Sequence, residues 1–357
     1  MKRVAITIGL FALTALGGCK KKEDAPPPSG GSQATGPVVR PSQQPLPQLP
    51  ALELAADPKR TEKIELGHAL FVDKRLSGAN DRACYSCHQN EDGNGGHDPI
   101  AIGSGDKVQK RHAPVIWNVA YFKGSFYWDG RAATLEDNAK AAWGGGNMDA
   151  GKDKLDAKAA EIAAIPGYKK LFDAAGLDAK ADSVTAALAE YERTLICKDT
   201  AYDKFAAGDK AAMSAQQQTG LDLFLGKGQC LICHAPPYFS TAMGVDKGVY
   251  FNVGIGTAGP EDKVDVGRMK VTSAPADWAS FKPPSLRNAT KSAPYFHDGS
   301  VAKLDDAVKL MTSGGIANKN KNPAIADRGF TDAERGDLIA FLGGLDCAGK
   351  LDEPKLP

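Results

Sequence analysis

Two short stretches carry residue types at a spacing that could do chemistry: Cys84-Tyr85-Ser86-Cys87-His88 and Cys230-Leu231-Ile232-Cys233-His234. Each reads C-x-x-C-H, the attachment signature of c-type haem. Two thiols one turn apart can add to both vinyl groups of one porphyrin, and the next residue, His, can bind the iron from its proximal side. Zinc is the competing reading, but a four-ligand tetrahedron suits a His directly after a Cys poorly. Two copies in an exported chain favour covalent haem. The expectation is therefore a dihaem protein attached through Cys84, Cys87, Cys230 and Cys233, with His88 and His234 as proximal ligands.

The rest of the chain has to position these two stretches. Its 357 residues are enough for two ordinary domains, and 42% hydrophobic content is ample for cores. Charge is nearly balanced, 44 Lys and Arg against 43 Asp and Glu, which argues against a nucleic-acid partner. Lys2-Arg3, the apolar run Val4 to Leu16 and Leu16-Gly17-Gly18-Cys19 read as a signal segment over 1–18, too short to span a bilayer comfortably. Small residues before Cys19 resemble the lipobox of bacterial lipoproteins, so Cys19 is expected to carry the lipid anchor. Residues 19–51 read as a disordered Pro-, Ser- and Gly-rich tether. The expected location is the periplasm, with Lys20 after Cys19 pointing to the outer membrane, in a compartment where disulfides persist.

From residue 52 the patterning is mainly α. Lys63 to Phe71 predicts an entry helix for the first motif, and Gly67-x-x-Leu70-Phe71 has an echo in Gly220-x-x-Leu223-Phe224 before the second. The echo predicts two copies of one unit, each an entry helix, a loop and a haem. Ser214 with Gln217, and Thr331 with Glu334, form capping boxes that open helices. Helical spacing recurs at Leu155, Ala159 and Ile162, stopping at Pro166-Gly167, and at Val184, Leu188, Tyr191 and Leu195. Residues 89–130 and 235–290 read as long loops, and no alternating strand pattern is present. The domains expected are 52–196 and 197–350, two cytochrome-c-like haem domains with long connections.

Beyond the haem motifs, the chain over about 60–346 resembles the bacterial dihaem cytochrome c peroxidase family, which includes the oxidase that matures the cofactor of methylamine dehydrogenase. The resemblance rests on Arg111-His112-Ala113-Pro114, Trp128-Asp129-Gly130-Arg131-Ala132, Ile165-Pro166-Gly167-Tyr168, Pro284-Ser285-Leu286-Arg287-Asn288 and Pro294-Tyr295-Phe296-His297-Asp298-Gly299, in that order around the two haem motifs. It implies a peroxidatic first haem and an electron-relay second haem, with Met311, fourteen residues beyond His297, as distal ligand of the second. The maturing oxidase has Tyr there, so Met311 favours the peroxidase branch. Trp128 is implied to pass electrons between the haems.

The resemblance also shows departures. Ser104 stands where many members place a loop His that blocks the first haem, which implies an open haem; His97 or His112 swinging in is the rival reading. The family's acid–base Gln and Glu fall on Asn138 and Asn147, and Asn is no base at neutral pH. Asp149 could substitute in a shifted loop, against the reading of an ordinary exposed Asp. A calcium site between the domains is implied, with Ser292 and the Pro294 carbonyl matching and His112 a poor ligand for a hard cation. Cys197 and Cys347 are implied to form a disulfide as the last helix packs back on the N-terminal domain. The function implied is reduction of hydrogen peroxide with electrons from a small periplasmic cytochrome c or copper protein, and the family's frequent dimerisation makes a homodimer one assembly the resemblance allows. The alternatives are a dihaem oxidase that modifies a partner protein, and a non-enzymatic dihaem electron carrier.

Overall fold

The computed structural model describes residues 40–357. The signal segment 1–18, Cys19 and the tether up to residue 39 lie outside the described residues. Within them the regular elements are helices, and residues such as Ile102 and Val108 or Tyr295 and Val301 meet only in isolated bridges.

Five helices, α1 (Arg60–Val72), α2 (Leu135–Gly144), α3 (Leu155–Ala163), α4 (Pro166–Ala175) and α5 (Ala181–Glu192), enclose a first core around Leu66, Phe71, Trp143, Tyr168 and Leu188. A second core, around Tyr202, Leu221, Phe224, Phe239 and Phe341, is built by α6 (Ala201–Ala206), α7 (Ala215–Leu225) and, after the one-turn α8 (Met269–Thr272) and α9 (Leu304–Thr312), by α10 (Asp332–Gly343). The capping boxes at Ser214 and Thr331 are both formed. Pro166-Gly167, read as a stop, also starts a helix: Pro166 cannot continue α3 but suits the first position of α4.

The repeated glycines have a packing reason. A Cβ at Gly67 would overlap the Ala187 carbonyl of α5, and one at Gly220 would overlap the Asp337 carbonyl of α10. Each entry helix thus crosses a partner backbone to backbone, α1 on α5 and α7 on α10. Gly220→Ala should lower stability by about 1–3 kcal/mol through overpacking, outweighing the roughly 1 kcal/mol that Ala gains over Gly in a helix. The check is the denaturant midpoint, which falls at unchanged slope; a raised midpoint would refute the close crossing.

Two expectations are corrected. Residues 40–50 are not free tether: Ser42 N–H donates to Asp222 Oδ1 at 2.7 Å, Tyr202 Oη to the Pro47 carbonyl at 3.1 Å, and Tyr121 Oη to the Pro50 carbonyl at 2.7 Å. Proline-rich chain is extended and keeps its carbonyls outward, so the same composition serves a linker and a docked strap. The last helix packs on α7 and α9, because its Leu338, Phe341 and Leu342 complete the second core. It is the tail beyond it that returns to the first lobe: Leu351 is buried there, and Asn90 both donates to its carbonyl at 2.7 Å and accepts its N–H at 2.8 Å. Cys197 and Cys347 are joined in a disulfide, Cα to Cα 5.5 Å.

Candidate active site

Both C-x-x-C-H stretches fold as a single 3-10 turn, Cys84–Ser86 and Cys230–Ile232, followed by the His. The four thiols are not paired with one another, and burial pushes each of them up. His88 donates from Nδ1 to the Asn94 carbonyl at 3.2 Å. His234 Nδ1 faces the carbonyls of Phe239 and Pro284, each at 3.1 Å. In both, Nε2 is the nitrogen left for a metal, and the outer hydrogen bond fixes the tautomer. Burial pushes the His88 imidazole down to about 4 and lowers that of His234, so both are neutral, as iron ligation requires.

Around Cys84, Cys87 and His88 lies a cavity of about 1170 Å³. Phe71, Leu76, Ile116, Leu135 and Trp143 give it apolar walls, and Gln109, Asn138, Asn147 and Met148 contribute a polar and thioether side. The residues fit a haem on a further observation: two buried cations in the wall lack a full complement of partners. Lys282 Nζ has no carboxylate partner, rests 3.5 Å over the Phe122 ring, and is pushed down by burial to about 7. Arg111 Nη1 stands 2.8 Å from Asp129 but out of hydrogen-bond alignment. Haem propionates are the anions such groups would hold. The second motif has the same donor set, with Met311 half-buried on the last turn of α9.

Trp128 sits in the wall between the two motifs. Its indole donates to the His112 carbonyl at 2.8 Å, and its own carbonyl accepts the Lys282 N–H at 2.8 Å, two residues before the Pro284 that touches His234. Its ring edge faces His297, centroids 6.5 Å apart, and His297 in turn stacks on Phe281 at 3.6 Å. The family-like motifs thus converge on one seam, held by Arg111 with Asp129 and Asp265.

The structure does not gather all the expected residues. Asn138 and Asn147 line the cavity, but Ser104 does not. Ser104 is buried, donates to Asp81 Oδ1 at 2.6 Å and supports the Asn147 carbonyl through its N–H at 2.9 Å. Asp149 also stays outside and pairs with Lys107 at 2.5 Å, so it does not replace the missing acid–base Glu. His97 is exposed and pairs with Asp92 at 3.1 Å, which raises it. His112 does line the cavity, with Nδ1 engaged by the Asp98 carbonyl at 2.9 Å. No three His, Cys, Asp or Glu side chains gather as a metal cluster among the described residues. Sequence reading missed Lys282 and Glu192; Lys282 stands two positions before the Pro284 motif, Glu192 only follows Tyr191 of a helical stripe, and their inward direction is set by distant elements.

Residues 61–211 match the family model described as di-haem cytochrome c peroxidase. A cytochrome-c peroxidase, IdrP1, of Denitromonas iodatirespirans is 32% identical over 92% of this chain and 93% of its own length. The cytochrome c551 peroxidase of Pseudomonas aeruginosa is 33% identical over 88% of this chain and 87% of its own, and the methylamine utilization protein MauG of Methylorubrum extorquens 33% identical over 85% and 83%. Among solved structures, a MauG-like protein associated with microbial copper homeostasis aligns with TM-score 0.75 and 27% identity, over 90% of this chain and 98% of that one.

Proposed function

Since the chain belongs to the di-haem cytochrome c peroxidase family, and is thus an oxidoreductase of the peroxidase class, we propose that it reduces hydrogen peroxide to water at the Cys84–His88 cavity. Electrons come from a small periplasmic cytochrome c or copper protein. Two electrons and two protons convert one peroxide into two waters. The observation that carries the reading is the cavity itself: a neutral His88 with Nε2 unengaged, apolar walls, and Asn138 and Asn147 on the lining. The haem, when bound, supplies the iron and the one-electron steps.

The chain's own residues do the remainder. Asn138 and Asn147 can orient peroxide through their amides but cannot take its proton. Trp128, whose indole is held by the His112 carbonyl and whose own carbonyl holds the segment running to the Pro284 beside His234, would be the side chain through which electrons pass between the haems. Leu231 and Ile232, each 40% exposed within the second motif, offer a small donor an apolar edge beside that haem. Met311, half-buried on the last turn of α9, would be the second protein ligand of the relay iron. Export and lipidation at Cys19 place the protein on the periplasmic face of the outer membrane; the sequence Leu16-Gly17-Gly18-Cys19 supports this.

The test mixes the oxidised protein with hydrogen peroxide, with and without a reduced small cytochrome, and follows the haem bands. Fast donor oxidation is expected. Trp128→Phe should slow donor-dependent turnover on the order of tenfold, about 1.4 kcal/mol of barrier, with peroxide binding kept. Likeness to MauG favours a second reading, modification of a partner protein, and peroxide consumption with negligible donor oxidation would select it.

A further inference from the structure

We infer that Glu192 is the group that takes up a proton when the haem held at Cys84, Cys87 and His88 gains an electron. The inference rests on the haem assignment above and concerns a residue that the peroxide chemistry has not used.

Four carboxylates line the cavity: Asp129, Glu192, Asp262 and Asp265. Three are neutralised in place. Asp129 meets Arg111 at 2.8 Å and Arg131 at 3.0 Å, Asp265 meets Arg111 at 2.6 Å, and Asp262 meets Lys263 at 3.4 Å. Glu192, at the last position of α5, makes neither an ion pair nor a side-chain hydrogen bond among the described residues, and it lines the cavity. Of the charged groups around it, Arg193 draws it down and Glu136 pushes it up, each by less than burial does. Arg193, next in sequence, is held by Glu136 of α2 at 2.6 Å and by Glu190 at 3.2 Å. Cys84 of the first motif lies close enough to feel its charge, as do Tyr127 of the preceding loop and Tyr191 of its own helix. Arg131 is stacked on Tyr127, 3.4 Å from its ring, and is paired with Asp129. From α1, His68 is stacked on Tyr191.

A lone carboxyl in such a place is costly to ionise, and burial pushes Glu192 up to about 8. The charge of the neighbouring porphyrin then decides its state. A ferric haem carries one more positive charge than a ferrous one, which favours the carboxylate; reduction removes that charge and favours the acid. The step balances as ferric haem, one electron and one proton giving ferrous haem, with the Glu192 carboxylate becoming a carboxylic acid. The electron comes from the reduced donor by way of the second haem, and the proton from solvent. Such coupling grows as the effective dielectric and the separation fall, and the buried lining position of Glu192 favours it. Glu192 therefore stores a proton inside the cavity where Asn138 and Asn147 provide none, and it becomes a positioning residue for charge rather than a ligand.

The test is a spectroelectrochemical titration of both haems between about pH 6 and 9 in the wild-type protein, Glu192→Gln and Glu192→Asp. In the wild type the potential of the first haem should fall with rising pH, by up to about 59 mV per unit, the one-electron equivalent of a tenfold shift. Glu192→Gln, neutral at every pH, should flatten that dependence and leave the second haem unchanged. Glu192→Asp should keep the dependence in a displaced window, which guards against a Gln variant that misfolds. A flat wild type, or an unaltered slope in Glu192→Gln, overturns the inference and assigns any proton uptake elsewhere, the propionates first. Intact mass separates this from the reading beneath it: a chain without haem on Cys84 and Cys87 overturns both, whereas two haems with a flat slope overturn the role of Glu192 alone.

Discussion

A His88→Ala chain should lose peroxide-driven donor oxidation by about a hundredfold or more while the haem at Cys230 and Cys233 keeps its absorption. The expectation follows from how His88 is built in. Its Nδ1 is spent on the Asn94 carbonyl, leaving Nε2 as the nitrogen that could hold iron, and burial keeps the ring neutral. Asn94 is itself buried and fixed: its amide donates to the His88 carbonyl at 3.2 Å and to Asn90 Oδ1 at 3.1 Å, and its own Oδ1 accepts the Trp117 indole at 2.7 Å. Loss of an outer partner of a metal-bound His typically costs 10–100-fold; loss of the His itself should cost more. Stopped-flow oxidation of a reduced small cytochrome measures it. If His88→Ala turned over like the wild type, peroxide would have to react at the second haem, and the division of labour proposed for the two haems would be reversed. His234→Ala is the counterpart: it should slow electron delivery while the first haem still responds to peroxide.

How much of this was legible in the chain depends on the distance over which each feature is decided. The haem motifs are local, five residues each, and the turn that presents the thiols is set within the motif. The capping boxes at Ser214 and Thr331 are local too, and both form. The repeated G-x-x-L-F was visible as a repeat, but its reason was not: Gly67 and Gly220 matter because of carbonyls on α5 and α10, more than 100 residues away in each case. Ser104 and Asp149 show the limit from the other side. Both sit at positions suited to a role at the haem, yet hydrogen bonds to Asp81 and an ion pair to Lys107 turn them out of the cavity. Glu192 and Lys282 are the reverse case, ordinary charged residues in the sequence that helix packing and the Trp128 carbonyl turn inward.

The disulfide carries the second large effect. Removing it by Cys197→Ser with Cys347→Ser should lower stability by about 2–5 kcal/mol, near the roughly 5 kcal/mol that the chain-entropy model gives for a loop this long. The bond joins residues 150 apart and so constrains nearly half the chain when unfolded. The native geometry beside it is held independently. The Cys197 backbone is gripped by Asn118, which accepts its N–H at 2.8 Å and donates to its carbonyl at 3.0 Å. The Cys347 N–H donates to Asn288 Oδ1 at 2.6 Å, and Arg287, fully buried next to Asn288, is anchored on Asp203 at 2.7 Å. Two asparagines, in loops of opposite lobes, thus hold the two cysteine segments whether or not the sulfurs are joined. The cost of the substitution should therefore appear mainly through the unfolded state: a lower denaturant midpoint, a steeper dependence on denaturant because the freed chain expands, and unchanged haem spectra and peroxide reactivity at room temperature. A shift of the haem bands without denaturant would mean that the bond, and not the asparagines, holds the tail against the first lobe.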